Sequence, residues 1–229
     1  MIDKLVMEPS FTHAWYLSEA EALALQQQLA SRVIKDDQLG NVQLIAGVDV
    51  AYDKHSDKLF SAVVILDTQT HQSVETATAD DVARFPYIPG LFSFRELPPI
   101  AKALAKLHQT PDLIVCDGQG IAHPRRFGLA CHLGVLYDIP TIGCGKTRLI
   151  GKADTPDIKR GAYASLLDND EVIGAVLRTQ DNVNPVYVSI GHRVSLQTAC
   201  EWVLKLSPKY RLPETTRQAD QAVRKALKS

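Results

Sequence analysis

Several stretches of the chain combine residue types that handle phosphate chemistry. In LIVCDGQGIAHPRRFG (113–128), an apolar, β-branched run ends in one aspartate, Asp117. Gly118 and Gly120 follow, with Gln119 between them, then His123, Pro124, Arg125 and Arg126. A strand that delivers a carboxylate into a glycine turn, with cationic side chains just beyond, suits a metal ion and a phosphate. The same residues also describe a buried strand closed by an Asp-Gly turn, a common strand terminator. The choice depends on whether other carboxylates can meet Asp117.

Asp49 is the first such partner. It interrupts the apolar run LIAGVDVAY, where an ionised carboxylate is costly unless it is paired or bound to metal. Alternation could instead turn it to a solvated face. If its strand neighbours that of Asp117, the two carboxylates can share one hard cation, and Mg2+ suits oxygen ligands and substrate phosphates. Glu96, in SFRELPP, is the second partner. A glutamate early in a helix also simply complements the dipole.

Before it comes FPYIPG, in which Pro86 and Pro89 stiffen the backbone around Tyr87 and Ile88, and Gly90 frees the exit. A rigid aromatic tip there can stack on or wedge between bases, or pack under its own loop. GCGKTR (143–148) ends like a Walker A loop, but that motif needs glycine where Pro140 stands, so a P-loop is disfavoured. Lys146 can still approach a phosphate or remain a surface lysine. Asp220, on the last predicted helix, could complete a carboxylate cluster.

The elements that must position these residues read in order. Ser18 with Glu21 forms a capping box, and Leu25, Leu29 and Val33 continue at helical spacing, predicting a helix over about 18–37. Strands follow at 44–52, 59–67 and 72–79, joined by short turns, which implies an antiparallel meander. A helix is expected over 92–108, a strand ending at Asp117, a short helix over 128–137 and a strand over 139–144. Strands separated by helices imply parallel neighbours. A late strand pair at 171–178 and 185–190, a helix from Ser195 to about 206 and another from Thr215 to about 228 complete a more irregular tail. The fold class is α/β: a three-strand antiparallel meander continued by parallel βαβ strands in one mixed sheet, flanked by helices. In such a sheet the strand of Asp49 can lie beside that of Asp117.

Composition narrows the class. The 229 residues fit one large domain spanning 1–229, with 1–16, which lack periodicity, as an N-terminal extension. The four cysteines are widely spaced with no CxxC pair, which argues against zinc or a disulfide scaffold and fits a reducing compartment. The net charge of −1 gives no sign of a strong non-specific polyanion binder, although local patches decide nucleic-acid binding. No segment reads as a signal peptide or membrane span, so the cytoplasm is the expected location.

Taken together, GVDVAY, PYIPGLFSFRE, DGQGIAHPRRFG, IPTIGCGKTRL, GHRVS and YRLPETTRQAD resemble the endonuclease V family, in order, from about residue 18 to 220. The PYIPG…FRE and DGxGxAHPRR segments are specific to it. The resemblance implies a ribonuclease H-like fold and a Mg2+-dependent nuclease, with Mn2+ as a substitute, acting on DNA that contains deoxyinosine. It implies incision at the second phosphodiester bond 3′ to the lesion, leaving 3′-hydroxyl and 5′-phosphate ends. Asp49, Glu96 and Asp117 match the family's metal-binding carboxylates, and Tyr87 matches its wedge tyrosine. The lesion pocket is implied around Gly90 and Gly118 to Gly120, with Pro86, Ile88, Pro89, Gln119 and Arg125 as further DNA contacts. His123 and Lys146 match positions that support substrate contact or catalysis.

The chain departs from the pattern at two positions. Gln119 stands where many bacterial members have His; it can hydrogen-bond but cannot titrate near neutral pH. Asp220 stands where some members have His. Other readings keep the fold but prefer inosine-containing RNA or branched DNA, or retain only nucleic-acid binding. The presence of all three carboxylates argues against the last. No protein partner is implied.

Overall fold

A computed structural model describes residues 7–228. The apolar runs of the first half and the more polar segment after them build an antiparallel meander, β1 (Leu44–Tyr52), β2 (Lys58–Asp67) and β3 (Ser73–Val82). Helix α2 (Phe92–Leu104) then crosses to β4 (Leu113–Cys116), which pairs in parallel with β1, and α3 (Leu129–Tyr137) crosses to β5 (Thr141–Gly145), parallel to β4. These fully buried central strands are covered on both faces, as parallel strands require. Three further strands, β6 (Tyr163–Asp168), β7 (Glu171–Leu177) and β8 (Val186–His192), add antiparallel to β5 through β8. The single sheet has the order β3-β2-β1-β4-β5-β8-β7-β6.

Alternation along β1 splits the core in two. Ile45 faces one layer with Leu29, Val203 and Ala219, supplied by α1 (Glu19–Ala30), α4 (Leu196–Lys205) and α5 (Glu214–Ala226). Ala46 and Val48 face the other, with Leu97, Ile100 and Leu133 of α2 and α3. Helix α5 sits so close to β1 that a Cβ on Gly47 would lie 2.2 Å from the Thr215 carbonyl oxygen. This is the ribonuclease H-like arrangement of a mixed sheet between helices. No described helix is long and apolar enough to cross a membrane.

Three sequence readings are corrected. Helix α1 stops at Ala30 rather than near 37, because Asp37 is used elsewhere: its carboxylate accepts from the Ser195 amide (2.7 Å) and Thr198 Oγ1 (2.8 Å) at the start of α4. Helix α2 ends at Leu104, short of 108. The tail is not irregular: β6 was missed, and its hairpin to β7 turns at Asn169 and Asp170, both with positive φ (51° and 65°), the geometry of a tight hairpin turn. Of the stretch read as an extension, 1–6 lie outside the described residues. Residues 7–16 pack on the body, with Met7 in the core beside Phe11 and Trp15.

Candidate active site

The parallel pairing of β1 with β4 brings two carboxylates together. Val48 is in register with Cys116, and the next residue on each strand is an aspartate, Asp49 and Asp117. Parallel strands in register set the two side by side in the middle of the sheet, Asp49 within β1 and Asp117 just past the end of β4. Glu96 arrives from α2, one layer above, and Asp220 from α5 on the opposite layer. Burial and the charge of Asp117 push Asp49 up to about 7, with a smaller contribution from Asp220. Burial pushes Glu96 up to about 7 against the Tyr52 hydrogen bond, again helped by Asp117. Asp117 thus disfavours the ionised forms of both Asp49 and Glu96, as neighbouring carboxylates in a part-buried site do.

That charge is met here by Lys146, which follows β5 and forms an ion pair with Asp117 Oδ2. Burial works to lower the Lys146 pKa, but the Asp117 contact, with Asp49 and Asp220 behind it, raises it. Glu96 accepts from the Tyr52 hydroxyl at 2.7 Å, and Asp220 accepts from Arg224 Nε at 2.8 Å. Among the described residues, no three His, Cys, Asp or Glu side chains are close enough to form a ready metal cage. The donor chemistry fits a hard divalent cation, because oxygen ligands and uncompensated negative charge are both present. An ammonium occupies one of those ligands.

Beside the carboxylates lies a cavity of about 310 Å³, lined by Glu96, Asp117, Gly118, Gln119, Ser93 and Leu129 among others. Gly90 forms part of its wall. Its φ of +80° favours glycine, and its carbonyl accepts from Gln26 Nε2 (3.0 Å), His123 Nε2 (2.9 Å) and Arg125 Nη2 (2.9 Å). His123 is 3% exposed, its Nδ1 accepts from the Arg125 amide, and burial with the nearby arginines pushes it down to about 4. His123 and Arg125 therefore brace the exit of the Tyr87 loop. Arg125 Nε also bonds Gln26 Oε1, leaving little of its fork for a phosphate.

Tyr87 is 66% exposed between the exposed Pro86 and Pro89, with Ile88 half-buried below. Its ring rests on Phe92 (centroids 4.5 Å) and meets Tyr52 edge-on (6.3 Å). Gln119 reaches across the end of β5, where Nε2 donates to the Thr147 carbonyl at 3.0 Å. The Gly120 amide donates to Ser189 Oγ at 2.8 Å.

Three contributors escaped the sequence reading: Tyr52, Gln26 and Ser93. Gln26 did carry a signal, being polar on the buried stripe of α1 with Ala22 and Leu29. Tyr52 lies three residues beyond Asp49 on β1, but its link to Glu96 is made only by the fold.

The same geometry has known relatives. The sequence profile of endonuclease V matches residues 27–221. An endonuclease V of Roseiflexus castenholzii is 50% identical over 215 residues, covering 93% of this chain and 96% of its own. The crystal structure of endonuclease V from Streptomyces avermitilis superposes with a TM-score of 0.90 at 50% identity, covering 94% of this chain and 95% of the other. The Ciona intestinalis endonuclease V, crystallised with DNA containing an inosine followed by a ribo-adenosine, gives a TM-score of 0.79 at 28% identity, covering 91% and 97%. Agreement in sequence and fold over most of the chain, with paired aspartates on β1 and after β4, makes this chain a member of the endonuclease V family of nucleases.

Proposed function

We propose that the protein is a DNA repair endonuclease that recognises deoxyinosine and incises that strand at the second phosphodiester bond 3′ to the lesion. The products carry 3′-hydroxyl and 5′-phosphate ends. The observation that carries the reading is the in-register placement of Asp49 and Asp117 on neighbouring central strands, with Glu96 within electrostatic reach of Asp117. The inosine in the DNA bound by the Ciona relative supports the choice of lesion.

Asp49, Glu96 and Asp117 would hold Mg2+, or Mn2+ in its place, which supplies a Lewis acid for the scissile phosphate and the leaving oxygen. Lys146 then exchanges Asp117 for the phosphate and keeps its positive charge beside the reacting group. Tyr87, on its proline-stiffened loop, stacks where the lesion leaves the helix. The cavity behind it has room for a purine, walled by Gly90, Gly118 and Gln119. Asp220 adds a carboxylate on the α5 side. The chain works as one domain in the cytoplasm.

The test is a labelled duplex with one deoxyinosine, with Mg2+ or with EDTA. The reading expects one nick 3′ to the lesion in Mg2+ and none in EDTA. The relative's ribo-adenosine keeps inosine-containing RNA as a second substrate reading. Faster cutting of the matching RNA selects that reading, preference for branched DNA selects a resolvase, and binding without nicking selects a non-catalytic module.

A further inference from the structure

We infer that the Ser93 hydroxyl reads the flipped base as a hydrogen-bond acceptor, and that His132 and His13 hold it in that polarity. The inference rests on the deoxyinosine reading and names a residue that decides base specificity within it.

Ser93 is the second residue of α2, three before Glu96; it is 3% exposed and lines the cavity. Its Oγ lies 2.9 Å from His132 Nδ1, a fully buried imidazole of α3. His132 Nε2 lies 2.8 Å from His13 Nε2, and His13 Nδ1 lies 2.9 Å from the Ala14 carbonyl oxygen. Each proton in this chain can be assigned. A carbonyl only accepts, so His13 carries its hydrogen on Nδ1. A neutral His13 then offers a lone pair at Nε2, and His132 must donate from its own Nε2. A neutral His132 is left with a lone pair at Nδ1, and Ser93 must donate to it.

Both imidazoles are held neutral. Burial lowers the His13 pKa, with only the Ala14 carbonyl opposing it. Burial lowers that of His132, and His13 is the one titratable group adding to it. The remaining rings against the pair are Phe11, Trp15, Phe94 and Phe127, and Arg32 lies on the Phe11 ring. Only an added proton, on either imidazole, would turn the His132–Ser93 contact round, because His132 Nδ1 would then carry a hydrogen.

The consequence concerns the cavity. The one hydroxyl proton of Ser93 points to His132, so a ligand meets only its lone pairs. Gln119 repeats the pattern: Nε2 is committed to Thr147, while Oε1 is buried without a partner. The neighbouring Gln26 amide and Gly90 carbonyl are already occupied by His123 and Arg125 and by each other. The cavity lining therefore carries the Ser93 hydroxyl as an acceptor, and the Gln119 oxygen beside it lacks a donor from the protein but is itself closed off by burial. Hypoxanthine presents a hydrogen at N1, whereas adenine presents a lone pair there. An acceptor facing N1 favours the first and repels the second, whatever the 6-substituent, and a buried polar group left unpaired penalises the wrong ligand.

The test compares wild type, Ser93→Ala and His13→Phe on duplexes that differ at one base: hypoxanthine, adenine, or purine lacking the 6-oxo group, whose N1 is a lone pair. Nicking gives kcat/KM, and equilibrium binding of the metal-free protein covers duplexes that are not cut. Ser93→Ala is expected to lower the preference for hypoxanthine over the 6-unsubstituted purine about tenfold or more, equivalent to one hydrogen bond of about 1.4 kcal/mol. The loss should fall on hypoxanthine alone. His13→Phe, which keeps an aromatic ring beside Trp15 but frees the polarity of the chain, should lower the same ratio by a smaller factor. Equal losses on all bases, or an unchanged ratio in both variants, overturn the inference. A wild type that treats hypoxanthine and adenine alike overturns the deoxyinosine reading itself.

Discussion

His123 offers a quantitative check on the loop that carries Tyr87. Its ring is buried and neutral, donating to Gly90 O from Nε2 and accepting at Nδ1. Its pKa falls from 6.5 in the unfolded chain to about 4 in the fold. Because the folded value is depressed for a base, the unfolded chain binds more protons between those values. Stability is then full above 6.5 and is lost as pH falls toward 4. Between about pH 7.5 and about pH 4.5 the linkage amounts to about 2.5 kcal/mol.

The perturbation is His123→Gln, which retains a donor amide and an acceptor but cannot titrate. Urea unfolding of both proteins across this range isolates the His123 contribution, because His132, His13 and the carboxylates are common to both. The variant should be the less stable at neutral pH, by about 1–2 kcal/mol for imperfect geometry. The difference should shrink with acid by about 2.5 kcal/mol, so that the order reverses. A difference that stays constant across the range refutes the assignment of His123 as a neutral brace.

Other perturbations probe separate parts. Tyr87→Ala should leave the urea midpoint nearly unchanged, since the side chain is 66% exposed, yet weaken binding to the deoxyinosine duplex roughly tenfold, the size of one lost stacking contact. Equal affinities for lesion duplex in wild type and variant would count against the wedge. Lys146→Met removes the ammonium from Asp117, so nicking should fall by roughly a hundredfold while Mn2+ affinity, read by electron spin resonance, rises. A lowered Mn2+ affinity contradicts the competition between ammonium and cation. Gly47→Ala sets a Cβ 2.2 Å from the Thr215 carbonyl and should cost about 2 kcal/mol by displacing α5; an unchanged midpoint argues against that docking.

The sequence reveals those features whose cost is local. A carboxylate in LIAGVDV is expensive wherever the strand lies, so Asp49 stands out, and alternation of helices and strands predicts the β1–β4 neighbourhood that pairs it with Asp117. Strand β6 was not legible because, as an edge strand, it buries only Leu166 fully and shows no apolar run. The Asn169-Asp170 turn was its readable mark. Helix α1 was overextended because Val33 keeps the helical period, while the use of Asp37 as a cap for α4 is a tertiary choice. The bracing roles of His123 and Arg125 were equally hidden, since both depend on a Gly90 carbonyl that only the fold brings near. So was the pairing of Lys146 with Asp117, which a glycine-flanked lysine does not announce.

The central claim is that the paired carboxylates on β1 and after β4 perform the cut without being needed to find the lesion. Asp117→Asn separates the two. In Mg2+, wild type should nick the deoxyinosine duplex once, while Asp117→Asn should bind that duplex with near wild-type preference over plain DNA and leave it intact. A variant that still nicks at a wild-type rate, or a wild-type protein whose nicking survives EDTA, would contradict the account.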